Sequence, residues 1–465
     1  MNKKGVFIAA ILLLFGISIG YAAEVILSKE VSFSNGASNL KANNVQDAIE
    51  ELYNKTVSDS SCKNVSAPKL GSGLVPVTIE NDGTVKYADT SKNWYNYCDK
   101  RWANAVILED GTNYKLGDTI SENDIQSYFV WIPKYKYRLW NTGVASKGVH
   151  EIEIVFDEND TTDIEGVSCK TPMTSGESGN CNNGEYMTHP AFISMNANGF
   201  WVGKFETGYK GATSAATAQV NANDTSKIII KPNVYSWREI TVKNIFETSY
   251  NYQRDLNSHM MKNTEWGAVA YLSHSKYGLN REVNTNNNSS FKTGFSALPS
   301  TDQQWVPGSS GDGATFNSAY NTEVGYTAST TGNIYGIYDM SGGTHEYLAT
   351  YILGKTGTSG LTPSNYDQKY FDIYNASSTA TTFQYRILGD ATGEMGTFKS
   401  FIDGDKVQRY HSSWYNDSAG FVDSTYPWFA RGGIFSTGLL NGVFYFGRHN
   451  GGAITSFGFR IVLVP

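Results

Sequence analysis

From Trp94 to its C-terminus the chain reads as short apolar runs separated by stretches rich in Gly, Ser, Thr and Asn, and helical periodicity surfaces in only two places. Alternation between turn residues predicts strands at 105–108, 128–132, 151–156, 200–205 and 227–230. The two helical patterns lie at 237–250 and 264–274, the second with Trp266, Val269, Ala270 and Leu272 on its apolar side. Polar stretches at 209–226, 283–290 and 296–333 read as surface loops within one domain, and no fixed-period repeat supports a solenoid or propeller. The fold class that follows is α+β and irregular, with little regular secondary structure and long Gly-rich loops. Composition agrees: 14% aromatic residues, 46 glycines and only 17% charged residues suit a loop-rich extracellular protein.

Ahead of this domain, Met1-Asn2-Lys3-Lys4 precedes an apolar run at 6–23, broken by Gly16, Ser18 and Gly20. This reads as a bacterial-type export signal. Gly20 and Ala22 are the small residues a signal peptidase requires, and the run also approaches the ~18 residues of a retained membrane anchor. The expected location is therefore the cell surface or the medium, with membrane contact through this segment alone. Residues 24–62 hold a strand-like run at 25–33 and an amphipathic helix at 43–54, where Val45, Ile49 and Leu52 recur at helical spacing. So short a helix is marginal alone, so it should dock on its own domain or on copies of itself, as a stalk or collar in a homo-oligomer. Residues 63–93 read as a linker ending in a hairpin, with strands at 75–79 and 84–87 around Asn81-Asp82-Gly83. The main domain is then 94–465.

The cysteines are Cys62, Cys98, Cys169 and Cys181, and no two form a CxxC pair. They fit an oxidising compartment better than a metal site. A Cys169–Cys181 bridge would close a Gly/Ser/Asn-rich loop and stabilise by roughly 2–3 kcal/mol. Cys62–Cys98 is the default second bridge, and four free thiols are the alternative. The net charge of −7, without a basic run, argues against nucleic acid as a partner.

Three late phrases carry a family resemblance. Tyr338-Asp339-Met340-Ser341-Gly342-Gly343-Thr344-His345-Glu346-Tyr347, Arg431-Gly432-Gly433 and the closing Gly458-Phe459-Arg460-Ile461-Val462-Leu463 are similar, in that order, to motifs of formylglycine-generating enzymes. Gly199 to Thr207 and Glu265 to Leu272 resemble that family's opening strand and helix, so the likeness covers about 190–465. The resemblance implies a C-type-lectin-like arrangement in which the first and last strands of the matched region meet in one sheet. Glu346, Arg431, Gly432, Gly433, Gly458, Phe459 and Arg460 read as structural frame. Buried singly, the charged members would be expensive, so they should pair with one another or with backbone. His345 beside Glu346 lacks a second histidine at helical spacing, so it is no zinc motif and reads as structural or solvent-facing.

The enzymes of that family place paired cysteines between the second and third phrases. Here the stretch at 434–457 contains none, and all four cysteines precede it, so the oxidase chemistry has neither its nucleophile nor its copper ligands. No other catalytic fingerprint replaces it. From Phe429 to Pro465 there is also no Lys, Glu, Gln, Met or Trp. These types cannot be encoded by codons ending in C, a bias resembling proteins whose lectin-like C-terminal segment is diversified by a retroelement. The candidate variable, ligand-contacting positions are Ile434, Ser436, Thr437, Leu439, Leu440, Tyr445, Gly447, Arg448, His449, Ile454 and Thr455. Tyr445, Arg448 and His449 offer a stacking face, a forked donor and a titratable donor/acceptor for a protein or glycan. The expectation is a non-enzymatic receptor or adhesin with no cofactor. Calcium is compatible with the resemblance, although no calcium-loop pattern is visible. The competing readings are a hydrolase or transferase built on carboxylates such as Asp403, Asp405 or Asp417, and a structural appendage subunit.

Overall fold

The computed structural model describes residues 44–45, 64–139, 152–156, 186–283, 320–323, 325–374, 389–392, 401–403, 406–408, 411–412, 417–435 and 442–465. The export signal, nearly all of the helix at 43–54, and Cys62, Cys169 and Cys181 lie outside them. Cys98 is disulfide-bonded, which removes the alternative in which all four thiols are free.

The architecture is mixed α+β, mostly sheet with few helices. An eight-stranded sheet runs in the order His259–Met260, Ile461–Leu463, Gly199–Gly203, Ile125–Pro133, Asn104–Leu108, Leu74–Ile79, Val85–Tyr87 and Thr119–Ile120. Every neighbouring pair is antiparallel. The opening and closing phrases are adjacent in it, with Val202 opposite Val462 and Trp201 opposite Leu463. A second sheet is centred on His345–Ile352, which pairs antiparallel with Trp428–Arg431 and parallel with both Asp372–Tyr374 and Phe457–Phe459. Phe446–His449 lies beyond Trp428–Arg431. The chain passes from this sheet to the first at Arg460, between Phe457–Phe459 and Ile461–Leu463.

The domain begins earlier than expected. The expected hairpin is present, but from Asn64 onward the segment ahead of it belongs to the compact unit rather than to a linker, and Leu74–Ile79 pairs with Val85–Tyr87 on one side and Asn104–Leu108 on the other. The preceding loop is held as well, because Ser66 and Lys69 carbonyls accept the indole N–H groups of Trp131 (3.1 Å) and Trp201 (2.7 Å). This device recurs. The buried indoles of Trp102, Trp237, Trp266 and Trp428 donate to the carbonyls of Tyr277, Val220, Val443 and Thr356. A wide apolar body anchored in the core with one satisfied donor lets long loops be fixed without secondary structure of their own.

Among the described residues three α-helices pack against the sheets or one another: α1 (Pro190–Ser194), α2 (Val242–Tyr252) and α3 (Asn263–Ser273). The helix expected from residue 237 starts only at Val242. Trp237 and Glu239 spend their amides on the carbonyls of Thr207 and Ile454, and Thr241 caps the helix by accepting from the Asn244 amide. Helix α3 is buried along its whole length, and at Gly267 the Gly389 carbonyl approaches so closely that a Cβ would meet it at 1.9 Å. Gly267→Ala is therefore expected to lower the unfolding free energy by about 1–3 kcal/mol in urea titrations. Wild-type stability in that variant would mean the Gly389 segment yields freely. Among the described residues no helix is long and apolar enough to cross a membrane.

Candidate functional site

The frame residues occupy the junction of the two sheets. Arg460 and Glu346 are both buried and form a two-pronged pair, Nε to Oε2 at 3.0 Å and Nη2 to Oε1 at 2.6 Å. The remaining guanidinium donors go to the carbonyls of Gly203 (2.7 Å) and Tyr338 (3.0 Å). Burial pushes the Glu346 carboxyl up, and Arg460 pulls it back. Two further buried carboxyls, Glu206 and Asp339, crowd this cation, and burial with their repulsion pushes Glu206 well above the usual carboxylate range. Glu206 is served by the Thr344 amide (2.7 Å) and the Ser236 hydroxyl (2.5 Å).

Among the described residues no carboxylate bonds Arg431 directly. The guanidinium reaches the carbonyls of Ala391 (3.3 Å) and Val443 (3.4 Å) and lies over the rings of Trp266 and Phe446, and burial lowers its pKa to about 10. Gly432 and Gly433 turn the chain with φ of 81° and 80°, a region side chains rarely enter. Phe459 is buried, and Gly458 lies so close to Thr344 that a Cβ would meet its hydroxyl at 2.5 Å.

The candidate variable residues separate by burial. Ile434 is buried, with 6% of its surface exposed, and Gly447 is buried against the Tyr445 ring, so neither presents an open surface among the described residues. Ser436, Thr437, Leu439 and Leu440 lie outside the described residues. Tyr445, Arg448, His449 and Ile454 are half-buried, and Thr455 is exposed.

Three of the half-buried residues belong to a continuous strip. Tyr445 stacks on His345 with centroids 5.0 Å apart, and His345 meets Phe457 at 4.8 Å. Phe457 touches Tyr347 (4.5 Å) and His449 (5.1 Å), and His449 meets Tyr426, which is 41% exposed. Arg448 lies over Tyr426 at 5.7 Å, held by the Phe421 carbonyl and an ion pair with Asp423. Tyr347, Phe457, Tyr426 and Asp423 were not singled out from the sequence, and His345 was read there as structural or solvent-facing.

The strip is electrically neutral where it is aromatic. Burial and the neighbouring His449 lower His345 to about 3, and burial lowers His449 as well. The Tyr347 hydroxyl donates to the Gly452 carbonyl (2.9 Å), so at 2.7 Å from it the Nδ1 of His449 must be the donor. That tautomer leaves Nε2 as an acceptor, and the shielded Nδ1 of His345 has no hydrogen-bond partner. Ring faces interspersed with acceptors suit an apolar surface that carries hydroxyl or amide donors.

No family model matches the chain, and no curated protein matches it. The reading of the site therefore rests on its geometry. Of the carboxylates singled out for a hydrolase, Asp405 and the side chain of Asp403 lie outside the described residues, whereas Asp417 is buried beside Val443 and Phe444. Among the described residues no three His, Cys, Asp or Glu side chains stand close enough to hold a metal ion.

Proposed function

We propose that this chain is an exported, non-enzymatic ligand-binding protein of C-type-lectin-like architecture, a receptor or adhesin that takes a protein or glycan on the face built by 434–457. The observation that carries the reading is the strip from Tyr445 through His345, Phe457 and His449 to Tyr426, partly open to solvent and mounted on a buried frame. Rigid aromatic anchors with a few fixed polar atoms are what recognition surfaces use. The apolar N-terminal run and the bonded state of Cys98 support export into an oxidising compartment. Retroelement diversification of this face is part of the proposal. It is favoured by the contrast between the buried frame and the more open Tyr445, Arg448, His449, Ile454 and Thr455.

The test is a screen of the full chain on glycan arrays and on whole cells, repeated with Tyr445→Ala/His449→Ala. Loss of two anchors is expected to weaken binding about tenfold or more, with little change in unfolding midpoint. A double variant that binds as well as wild type would remove the strip from the function.

A further inference from the structure

A separate pocket, lined by none of the strip's residues, lies between α3 and the segment entering Phe446–His449. Its charged or titratable lining is Asp417, Glu282, Arg281 and His274, and Val283 and Val443 supply apolar wall. It has room for little more than a water-sized group. Asp417 is 1% exposed. Its Oδ2 accepts the Phe444 amide at 3.0 Å, which fixes the carboxyl plane, and its Oδ1 has no hydrogen-bond partner. Gly442 passes so close that a Cβ would lie 2.2 Å from Oδ2, so the backbone is shaped to the carboxyl.

A buried carboxyl oxygen without a donor is costly unless something fills the place. Among the described residues no cation bonds that oxygen. Arg431 gives its Nη groups to the Ala391 and Val443 carbonyls, leaves Nε without a partner and acts on Asp417 only through its charge, and Arg281 lines the pocket from an exposed position. His274 is held neutral, its pKa lowered to about 4 by burial. We propose that this pocket is a subsite for a primary ammonium group, as carried by a lysine side chain or another alkylamine. The head group is water-sized, it donates hydrogen bonds, and at the exposed side Glu282 adds a negative charge that offsets the neighbouring Arg281.

Burial and the Glu282 charge push the Asp417 carboxyl well above the ordinary range, while the Phe444 and Tyr445 amides and Arg431 pull it back. That upward direction favours the neutral acid, so an arriving ammonium should shift Asp417 towards the carboxylate with release of a proton to solvent. Binding should then strengthen as pH rises towards the folded pKa of Asp417, and the binding enthalpy in calorimetry should vary with the ionisation enthalpy of the buffer.

The proposal stands apart from the aromatic strip and is tested apart from it. Methylammonium and Nα-acetyl-lysine methyl ester are titrated into the full chain by calorimetry and saturation-transfer NMR. Tetramethylammonium, which is too large and has no N–H, and Nα-acetyl-norleucine methyl ester, which has no ammonium, serve as controls. We expect both ammonium probes to bind with proton release and both controls to fail. Asp417→Asn, which keeps an acceptor for the Phe444 amide, should weaken binding about tenfold, and Tyr445→Ala/His449→Ala should leave it unchanged. Glu282→Gln, at an exposed position that folding tolerates, should weaken it a few-fold and keeps the test open if Asp417→Asn fails to fold. Absence of binding at millimolar probe, equal binding of tetramethylammonium, or unchanged affinity in either carboxylate variant would assign the pocket to a bound water and overturn the proposal.

Discussion

Arg460→Leu is expected to lower the unfolding free energy by about 3–5 kcal/mol, read as a shift of the urea midpoint at unchanged slope. Leucine is smaller than the buried arginine, so a cavity adds to the electrostatic loss. The substitution strands Glu346, which is buried and receives two of the guanidinium's bonds, and it leaves the carbonyls of Gly203 and Tyr338 without donors. Glu206 and Asp339 also lose the cation they share. Adding Glu346→Gln should recover part of the stability, because a neutral amide is far cheaper to bury than an orphaned carboxylate. If the single variant lost under about 1 kcal/mol, or if the double variant were simply additive, the pair would not be what joins the two sheets.

That pair is also where the sequence spoke most clearly. Charged residues inside apolar phrases announce a burial that needs a partner, and Glu346 with Arg460 is such a partnership. Arg431 followed the other route, to backbone carbonyls and aromatic faces. Strands were legible wherever the chain alternates, because a period of two specifies them locally. What alternation leaves open is the neighbour. The 75–79 hairpin looked self-contained, since its place in the sheet depends on Asn104–Leu108, whose pattern is equally local. The start of α2 was misplaced because Trp237 and Glu239 are claimed by Thr207 and Ile454, contacts that leave no periodic trace.

The candidate site was legible in outline and not in detail. Residues 434–457 contain no sustained period, so burial along them is decided by loop geometry. Ile434 follows directly on the Gly432-Gly433 turn and is carried inwards with Phe435, whose amide bonds the Gly343 carbonyl. Gly447 is covered by Tyr445, two residues away. His345 was dismissed for want of a second zinc ligand, yet its importance lies in the rings of Tyr445 and Phe457 stacked against it. Tyr426 and Asp423 precede Trp428–Arg431, and only the pairing of Trp428 with His449 brings them to Arg448.

A large pH effect is expected from His189. It caps α1, accepting the Ala191 amide on Nδ1 (3.3 Å) while Nε2 faces the Gly389 carbonyl at 2.8 Å, so the neutral ring has both nitrogens satisfied. Tyr135, Tyr137, Phe192 and Tyr271 enclose it, and burial lowers its pKa to about 3. Protonation would convert the cap acceptor into a donor facing another donor. Because the folded pKa lies below the unfolded value of about 6.5, the stability it contributes is complete above that pH and is lost as pH falls towards 3. The loss amounts to about 4–5 kcal/mol at the acid end. Buried acids work in the opposite sense: Asp372, raised to about 6 mainly by burial, is most favourable below its unfolded pKa, so total stability alone mixes the two. The difference between wild type and His189→Gln isolates the ring, since glutamine can keep both hydrogen bonds and does not titrate. That difference should shift against wild type by about 1.4 kcal/mol per pH unit between pH ~6 and ~4. A difference that stays constant over this range would mean that His189 is already charged in the folded protein.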